Sequence, residues 1–392
     1  MHLLKKKIQY PMKKANLSIF AITLGSGGAE KVISLLLKKL INDYEVTLIL
    51  MYNDIHFPIP EEVNLIIFRP NSSRNRPAYL KFFDAISFVI KYNKIIEERK
   101  IGYAISFLAL PNLLNGIISK LNPNLKTYIS ERGFPTDNTS SKLSFYISKI
   151  FYPILYNRCY KLFSNSTYIN KDLKDNFGIK IPMEVIYNPI ETPITTLTPA
   201  KFSAETNRFK AITIGTLNTR KNQVMIIKAI ASLNSNFSLT IGGAGELEKM
   251  LKEKVNELKL QDKVEFIGQV KDVNKHLIEH DCFVLSSFTE GFPNVLLEAM
   301  SIGLPCISTN CLSGPLELLH DNSEIEIPKH GFFKAKFGIL INNDDEVGLA
   351  KALNYFKTNP KERVYYSEKS LERAKKYHID SIYDEFKVFI QN

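Results

Sequence analysis

Short apolar runs alternate with helix-period patterns from one end of this chain to the other, and nothing else in its 392 residues narrows the fold so much. Runs rich in Ile, Val, Leu and Phe, bounded by Gly, Pro, Asn or Ser, read as strands buried on both faces. Such strands belong to parallel sheets, where each pair needs a crossover, usually a helix, between its members. The pattern therefore predicts an α/β chain with helices on both faces of its sheets. In the first half the candidate strands are Leu17–Leu24, Val46–Met51, Val63–Phe68, Tyr103–Phe107, Lys126–Ser130, Lys161–Ser164 and Glu184–Tyr187. In the second they are Lys210–Gly215, Phe237–Gly242, Lys263–Ile267, Cys282–Ser286, Pro305–Ser308 and Phe337–Ile341. Residues 188–207 interrupt the rhythm with three prolines and many threonines, which places a domain junction there. One domain is expected over 1–190 and another over 191–370, followed by a C-terminal helix over 371–392.

Composition bounds the class: 45% apolar and 23% charged residues suit a globular protein of two ordinary domains. The four cysteines, Cys159, Cys282, Cys306 and Cys311, form no CxxC pair, so they read as small core residues in a reducing compartment. His2, His56, His276, His280, His320, His330 and His378 form no HExxH or HxH set, and no metal ligands are expected. With neither a signal peptide nor 18 uninterrupted apolar residues, the expected location is cytoplasmic, peripheral on the inner face of the cell membrane. Charge is uneven: residues 1–190 carry 26 Lys/Arg against 14 Asp/Glu, and residues 191–392 carry 25 against 26. The first half is thus suited to an anionic partner. Lys5–Lys7, Lys13 and Lys14 fit either such a role or a solvated tail. Tyr79–Tyr92 and Phe145–Lys161 mix aromatics with Lys or Arg as interfacial helices do, although the same aromatics also suit a core. With no Trp and no nucleic-acid motif, an anionic membrane surface is the expected partner, and no nucleic acid.

The richest punctuation runs from Ser287 to Pro305, where Glu290 and Glu298 stand eight residues apart around a turn that opens a helix. Phe283–Ser287 reads as the strand before it, Gly291 and Pro293 as the turn, and Asn294 as N-cap of a helix beginning at Val295. A helix start at the carboxyl end of a strand presents amides and a positive dipole end, which suits a diphosphate. Carboxylates flanking such a site repel phosphate and so must be aimed at hydroxyls.

This segment resembles the E-x7-E signature, in the setting E-G-F/L-P-x-x-x-x-E-A, of the family 4 retaining glycosyltransferases, of the kind that build O-antigen, capsule and other polyprenyl-linked bacterial glycans. The resemblance implies the GT-B fold, two Rossmann-like domains facing a cleft with a C-terminal helix crossing back to the first. It implies that Glu290 is set against the donor sugar and that Glu298 binds the ribose hydroxyls. Between them, Gly291, Phe292, Pro293, Asn294 and Val295 would meet sugar and phosphate, largely through backbone amides. Gly215-Thr-Leu-Asn-Thr-Arg220-Lys221-Asn222-Gln223 resembles the family's G-R-L-x-x-x-K-G/N pattern, so Lys221 matches the diphosphate lysine. Thr216 replaces the arginine common in the family, and Arg220 is the candidate to compensate.

Gly25-Ser-Gly27-Gly28-Ala-Glu30 follows the first strand; on its own it is as often just a tight connection, but it matches the family's Gly-Gly-x-Glu loop, and the resemblance implies that Gly25, Gly27 and Gly28 face the donor phosphates from across the cleft. Gly242-Gly-Ala-Gly245-Glu246 resembles a turn near the nucleotide, with Gly245 as a wall or as a structural glycine. Phe266–Val270 resembles the segment whose backbone, at Val270, reads the base. Glu131-Arg132 stands where many members have a histidine: Glu131 assisting an acceptor hydroxyl, Arg132 binding an acceptor phosphate, and a buried structural ion pair all remain open. The implied reaction is metal-independent, needs no cofactor and moves a hexose or N-acetylhexosamine, with retention, from a nucleotide diphosphate sugar, UDP-linked by preference. The expected acceptor is a polyprenyl-diphosphate-linked glycan. A soluble acceptor, or a catalytically silent glycan- or nucleic-acid-binding protein of the same fold, is the alternative.

Overall fold

The computed structural model describes residues 14–70, 78–137, 142–204 and 206–392. Among these, the first-half strands are β1 (Ala15–Ala21), β2 (Tyr44–Tyr52), β3 (Asn64–Arg69), β4 (Tyr103–Phe107), β5 (Lys126–Glu131), β6 (Lys161–Ser164) and β7 (Met183–Val185). They form a sheet of order β3-β2-β1-β4-β5-β6-β7. The later strands are β8 (Phe209–Ile214), β9 (Phe237–Gly242), β10 (Val264–Gly268), β11 (Cys282–Leu285), β12 (Cys306–Thr309), β13 (Phe332–Lys334) and β14 (Ile339–Ile341). Their order is β10-β9-β8-β11-β12-β14-β13.

Every expected strand forms, with ends shifted by a few residues. The first stops at Ala21 because Leu24 leaves the sheet to bridge Ile55, its amide donating to Asp54 O at 2.9 Å. β13 went unforeseen: three residues carry no periodic signal, and they pair antiparallel with β14 at the sheet edge. The Lys5–Lys7 and Lys13 positions lie outside the described residues.

Internal contacts divide the chain into one unit of residues 1–130 with 154–162, and another of 131–153 with 163–392. In the first, Phe20, Phe68, Phe88 and Tyr92 form an aromatic core, and Tyr92 keeps its hydroxyl satisfied by Ser18 Oγ at 2.8 Å. In the second, the helices Gln223–Ser232 and Glu346–Thr358 bury Ile226, Ile230, Leu349 and Leu353 with Ile241 and Val284 of the second sheet. The last helix, Ile379–Gln391, lays Phe386 and Phe389 on Phe163 of β6, with ring centroids 5.3 Å apart in both contacts. Before it, Ile190 and His378 form a bridge.

Leaving aside the antiparallel edge strand β13, the order in each sheet reverses once, between β1 and β4 and between β8 and β11. Loops leaving the carboxyl ends of such neighbours diverge to opposite faces and leave a crevice, the usual ligand position in open α/β sheets.

Candidate active site

The loops after β8 and β11 flank the reversal of the second sheet, and each brings one of the charges marked by the sequence. After β8 the chain makes a 3-10 turn, Thr219–Lys221, whose start Asn218 caps by accepting from Lys221 N at 3.2 Å. Lys221 Nζ forms an ion pair with Glu290 Oε1. Ser287 Oγ donates to that same oxygen at 2.5 Å. The two loops are tied together by Ser286 Oγ donating to Lys221 O at 2.6 Å and Phe288 N to Arg220 O at 2.8 Å. Thr309, at the end of β12, donates to Ser287 O at 2.7 Å.

Burial of Glu290 would by itself raise its pKa. The charges of Lys221 and Arg220, with hydrogen bonds from Lys221 and Ser287, outweigh that and hold the carboxyl below its ordinary value. It is a carboxylate kept ionised inside the protein by the cations beside it.

Glycines bring backbones together around this pair. A Cβ on Gly243, whose φ is +131°, would stand 1.9 Å from Gly215 O, and one on Gly291 would stand 2.0 Å from Arg132 O. Neither position admits another residue. Gly215 faces the Lys221 stem, Gly245 lies against Leu217 O, and Val270 covers Gly242 beyond β10.

The helix at the signature spans Asn294–Ser301, and its N-cap is Pro293, not Asn294 as the sequence suggests. The Asn294 side chain is drawn sideways instead: its Oδ1 accepts from Asn188 Nδ2 at 2.6 Å. Asn188 Oδ1 in turn accepts from Arg132 Nη1 at 2.8 Å and from Asn165 Nδ2 at 3.3 Å. A buried acceptor for a guanidinium competes successfully with a local cap, because an unsatisfied buried partner costs more than a lost cap. Pro293 O closes the first turn, accepting from Leu296 N and Leu297 N at 3.0 and 3.2 Å. Glu298 follows one turn after Asn294 and is buried.

Glu131 ends β5, Arg132 follows it, and both are buried; burial lowers the Arg132 pKa and the charge of Glu131 offsets part of that. The Arg132 guanidinium also lies 4.9 Å from the Phe163 ring centroid, so its side chain serves the interior. In the other unit, the Gly25–Gly28 loop leaves β1 at that sheet's reversal, and Gly27 opens the helix Gly28–Asp43. There burial raises the Glu30 pKa, its own backbone hydrogen bond lowers it, and Asp54 raises it further.

Two further side chains were not singled out in the sequence. Asn188 follows β7 in an unremarkable Tyr-Asn-Pro. Glu317, in the short helix Pro315–His320, accepts from Ser166 Oγ and, at 3.1 Å, from Thr167 N, so it caps the helix Thr167–Phe177 across 150 residues of chain. Burial raises its pKa, with hydrogen bonds from Ser166, Tyr187 and Thr167 opposing. The start Gly314-Pro315 was its only local signal. Among the described residues no group of three or more His, Cys, Asp or Glu is arranged to hold a metal ion.

Residues 195–373 match the profile "Glycosyl transferases group 1", and residues 26–193 match "Glycosyltransferase Family 4". A Campylobacter jejuni protein named N-acetylgalactosamine-N,N'-diacetylbacillosaminyl-diphospho-undecaprenol 4-alpha-N-acetylgalactosaminyltransferase is 30% identical over 366 residues, 92% of this chain and 95% of that one. A second from that bacterium, a GalNAc-alpha-(1->4)-GalNAc-alpha-(1->3)-diNAcBac-PP-undecaprenol alpha-1,4-N-acetyl-D-galactosaminyltransferase, is 26% identical over 94% of this chain and 96% of its own. The crystal structure of Anabaena HepE in complex with UDP and glucose superposes with a TM-score of 0.74 at 15% identity, covering 96% of this chain and 99% of that one. The chain therefore belongs to the group 1 and family 4 glycosyltransferases and has their GT-B fold.

Proposed function

We propose that this glycosyltransferase moves an N-acetylhexosamine or hexose from a UDP-sugar, with retention and without a metal, to a polyprenyl-diphosphate-linked glycan at an anionic membrane face. The carrying observation is the Lys221–Glu290 ion pair at the reversal of the second sheet, beside the helix start that leads to buried Glu298. On this reading Lys221 turns from Glu290 to the diphosphate and, with Arg220 and the helix-start amides, stabilises charge as it grows on the leaving group, the largest kind of catalytic term. Glu290, released from its cation, accepts from a donor-sugar hydroxyl, and Glu298 from the ribose. The acceptor oxygen bonds to the anomeric carbon on the face from which UDP departs. Its proton passes to the departing phosphate oxygen, so charge and atoms balance without a protein nucleophile.

The names of the two Campylobacter relatives support the donor and acceptor classes, since both transfer N-acetylgalactosamine to diphospho-undecaprenol-linked sugars in α linkage. An α product is what retention makes of an α-linked nucleotide sugar. The test is a nucleotide-sugar panel by thermal shift, followed by NMR of the product's anomeric proton. A UDP-N-acetylhexosamine should raise the melting temperature by mass action. A shift with another base only, or a β product, overturns the donor or the retention; no shift with any nucleotide sugar overturns the reading.

A further inference from the structure

The helix Lys142–Leu155 is apolar on two opposite faces. One face is accounted for: Phe145 and Tyr152 pack on Phe177, with ring centroids 5.9 and 5.4 Å apart, and Tyr152 and the following Tyr156 are buried. The other carries Tyr146, Ile147, Ile150, Phe151 and Ile154, spaced as one helical stripe and between 43 and 61% exposed. A stripe of this kind needs a cover, since a surface helix ordinarily turns polar residues outward.

We propose that this stripe lies in the interfacial layer of an anionic phospholipid bilayer, as the surface that seats the enzyme on the membrane holding its lipid-linked acceptor; the acceptor part of this statement rests on the function proposed above. Length argues against spanning: 14 residues rise about 21 Å, short of the ~30 Å hydrocarbon core. Among the described residues no helix is long and apolar enough to cross a membrane. The helix therefore lies in the plane, held on its inner side by the aromatic packing. Charge names the occupant. Lys149, exposed at the margin of the stripe with its ammonium 5.4 Å from the Phe145 ring, is placed to reach headgroups while the stripe is immersed. Exposed Arg158 follows directly after the helix, and no acidic residue occurs from 142 to 158. A second copy of so cationic a surface would meet like charge, whereas phosphatidylglycerol meets opposite charge.

This attachment differs from the purely electrostatic one suggested by net charge, because apolar insertion is not screened by salt. The test is flotation of the full chain with vesicles of phosphatidylcholine and phosphatidylglycerol in equal parts, at low and high salt. Wild type should bind at low salt and keep a clear fraction at high salt. The variant Ile147→Ser/Ile150→Ser/Phe151→Ser should lose about tenfold or more in vesicle affinity at both salt levels, and Lys149→Gln should lose affinity mainly at low salt. Circular dichroism and UDP titration of each variant report folding and the donor site separately. Equal binding by wild type and the triple variant overturns the proposal, as does no binding by either. A wild-type dimer that becomes a monomer in the triple variant, with vesicle binding unchanged, assigns the stripe to self-association and overturns it too. Vesicle binding that follows the stripe in a protein that binds no nucleotide sugar leaves the surface standing and the proposed reaction refuted.

Discussion

Removing Lys221 should do more than slow catalysis: it should leave a buried carboxylate without its main cation. The side chains of Lys221 and Glu290 are 14 and 6% exposed, so solvent replaces little of the lost interaction. Breaking a buried pair by deleting one partner typically costs about 3–5 kcal/mol; the charge of Arg220 and the Ser287 hydrogen bond remain, so Lys221→Ala should fall at the low end, about 3 kcal/mol near neutral pH. In wild type the folded pKa of Glu290 lies below its ordinary value of 4.5, so its contribution is present above that value and lost as pH falls through the folded pKa. In Lys221→Ala only Arg220 and the Ser287 hydrogen bond still oppose burial, and the folded pKa of Glu290 is expected to rise above the unfolded one. The sign reverses: the variant carries a penalty at neutral pH that fades as acid protonates Glu290. The stability gap between the two proteins should therefore shrink on acidification, and adding Glu290→Gln to Lys221→Ala should recover most of the loss at neutral pH. Urea unfolding followed by circular dichroism from neutral pH to about pH 4 measures this, the chain having no Trp to report. A gap that is constant across that range and unmoved by Glu290→Gln would show that the pair is not the source.

Glu298→Ala should weaken UDP binding by about 1.5–3 kcal/mol through lost charge-assisted hydrogen bonds, while Glu290→Gln should lower kcat more than donor affinity; calorimetry and initial rates separate the two, and a reversed pattern exchanges their roles. Asn188→Ala and Asn294→Ala should each weaken UDP binding, with the double variant no worse than the more damaging single one, because they interrupt a single relay; additive losses in the double-mutant cycle would sink that claim. Activity should persist in excess chelator, and loss restored by added manganese or magnesium would contradict the metal-independent reaction.

The fold was legible because parallel strands buried on both faces leave continuous apolar runs, as at Tyr103–Phe107 and Phe237–Gly242, and the intervening helices supply the change of period. Lys221 and Glu290 stood out as candidates for a different reason: each lies in a connection that follows a strand, opened at Gly215 in one case and marked by Gly291 and Pro293 in the other. Their pairing was not legible from local pattern. Lys221 and Glu290 are 69 residues apart, and they meet because β8 and β11 are neighbours while β9 and β10 lie on the far side of β8. Strand order is settled by packing over whole helices, and no local pattern encodes it.

Asn294 shows why local rules give way at such a place. By propensity it is an N-cap, and the helix takes Pro293 as its cap and spends the asparagine on Asn188. The exchange makes sense only with Arg132 in view: a buried guanidinium needs Asn188 Oδ1, which turns the Asn188 amide group toward Asn294. Arg132 also supplies the carbonyl against which Gly291 packs, too close for any side chain. The orientation of the helix that carries Glu298 is thus set by residues more than a hundred positions earlier in the chain. Two glutamates at the right spacing are not enough to make the site, since the start of their helix is held by a relay of Arg132 and Asn188 that the spacing does not contain.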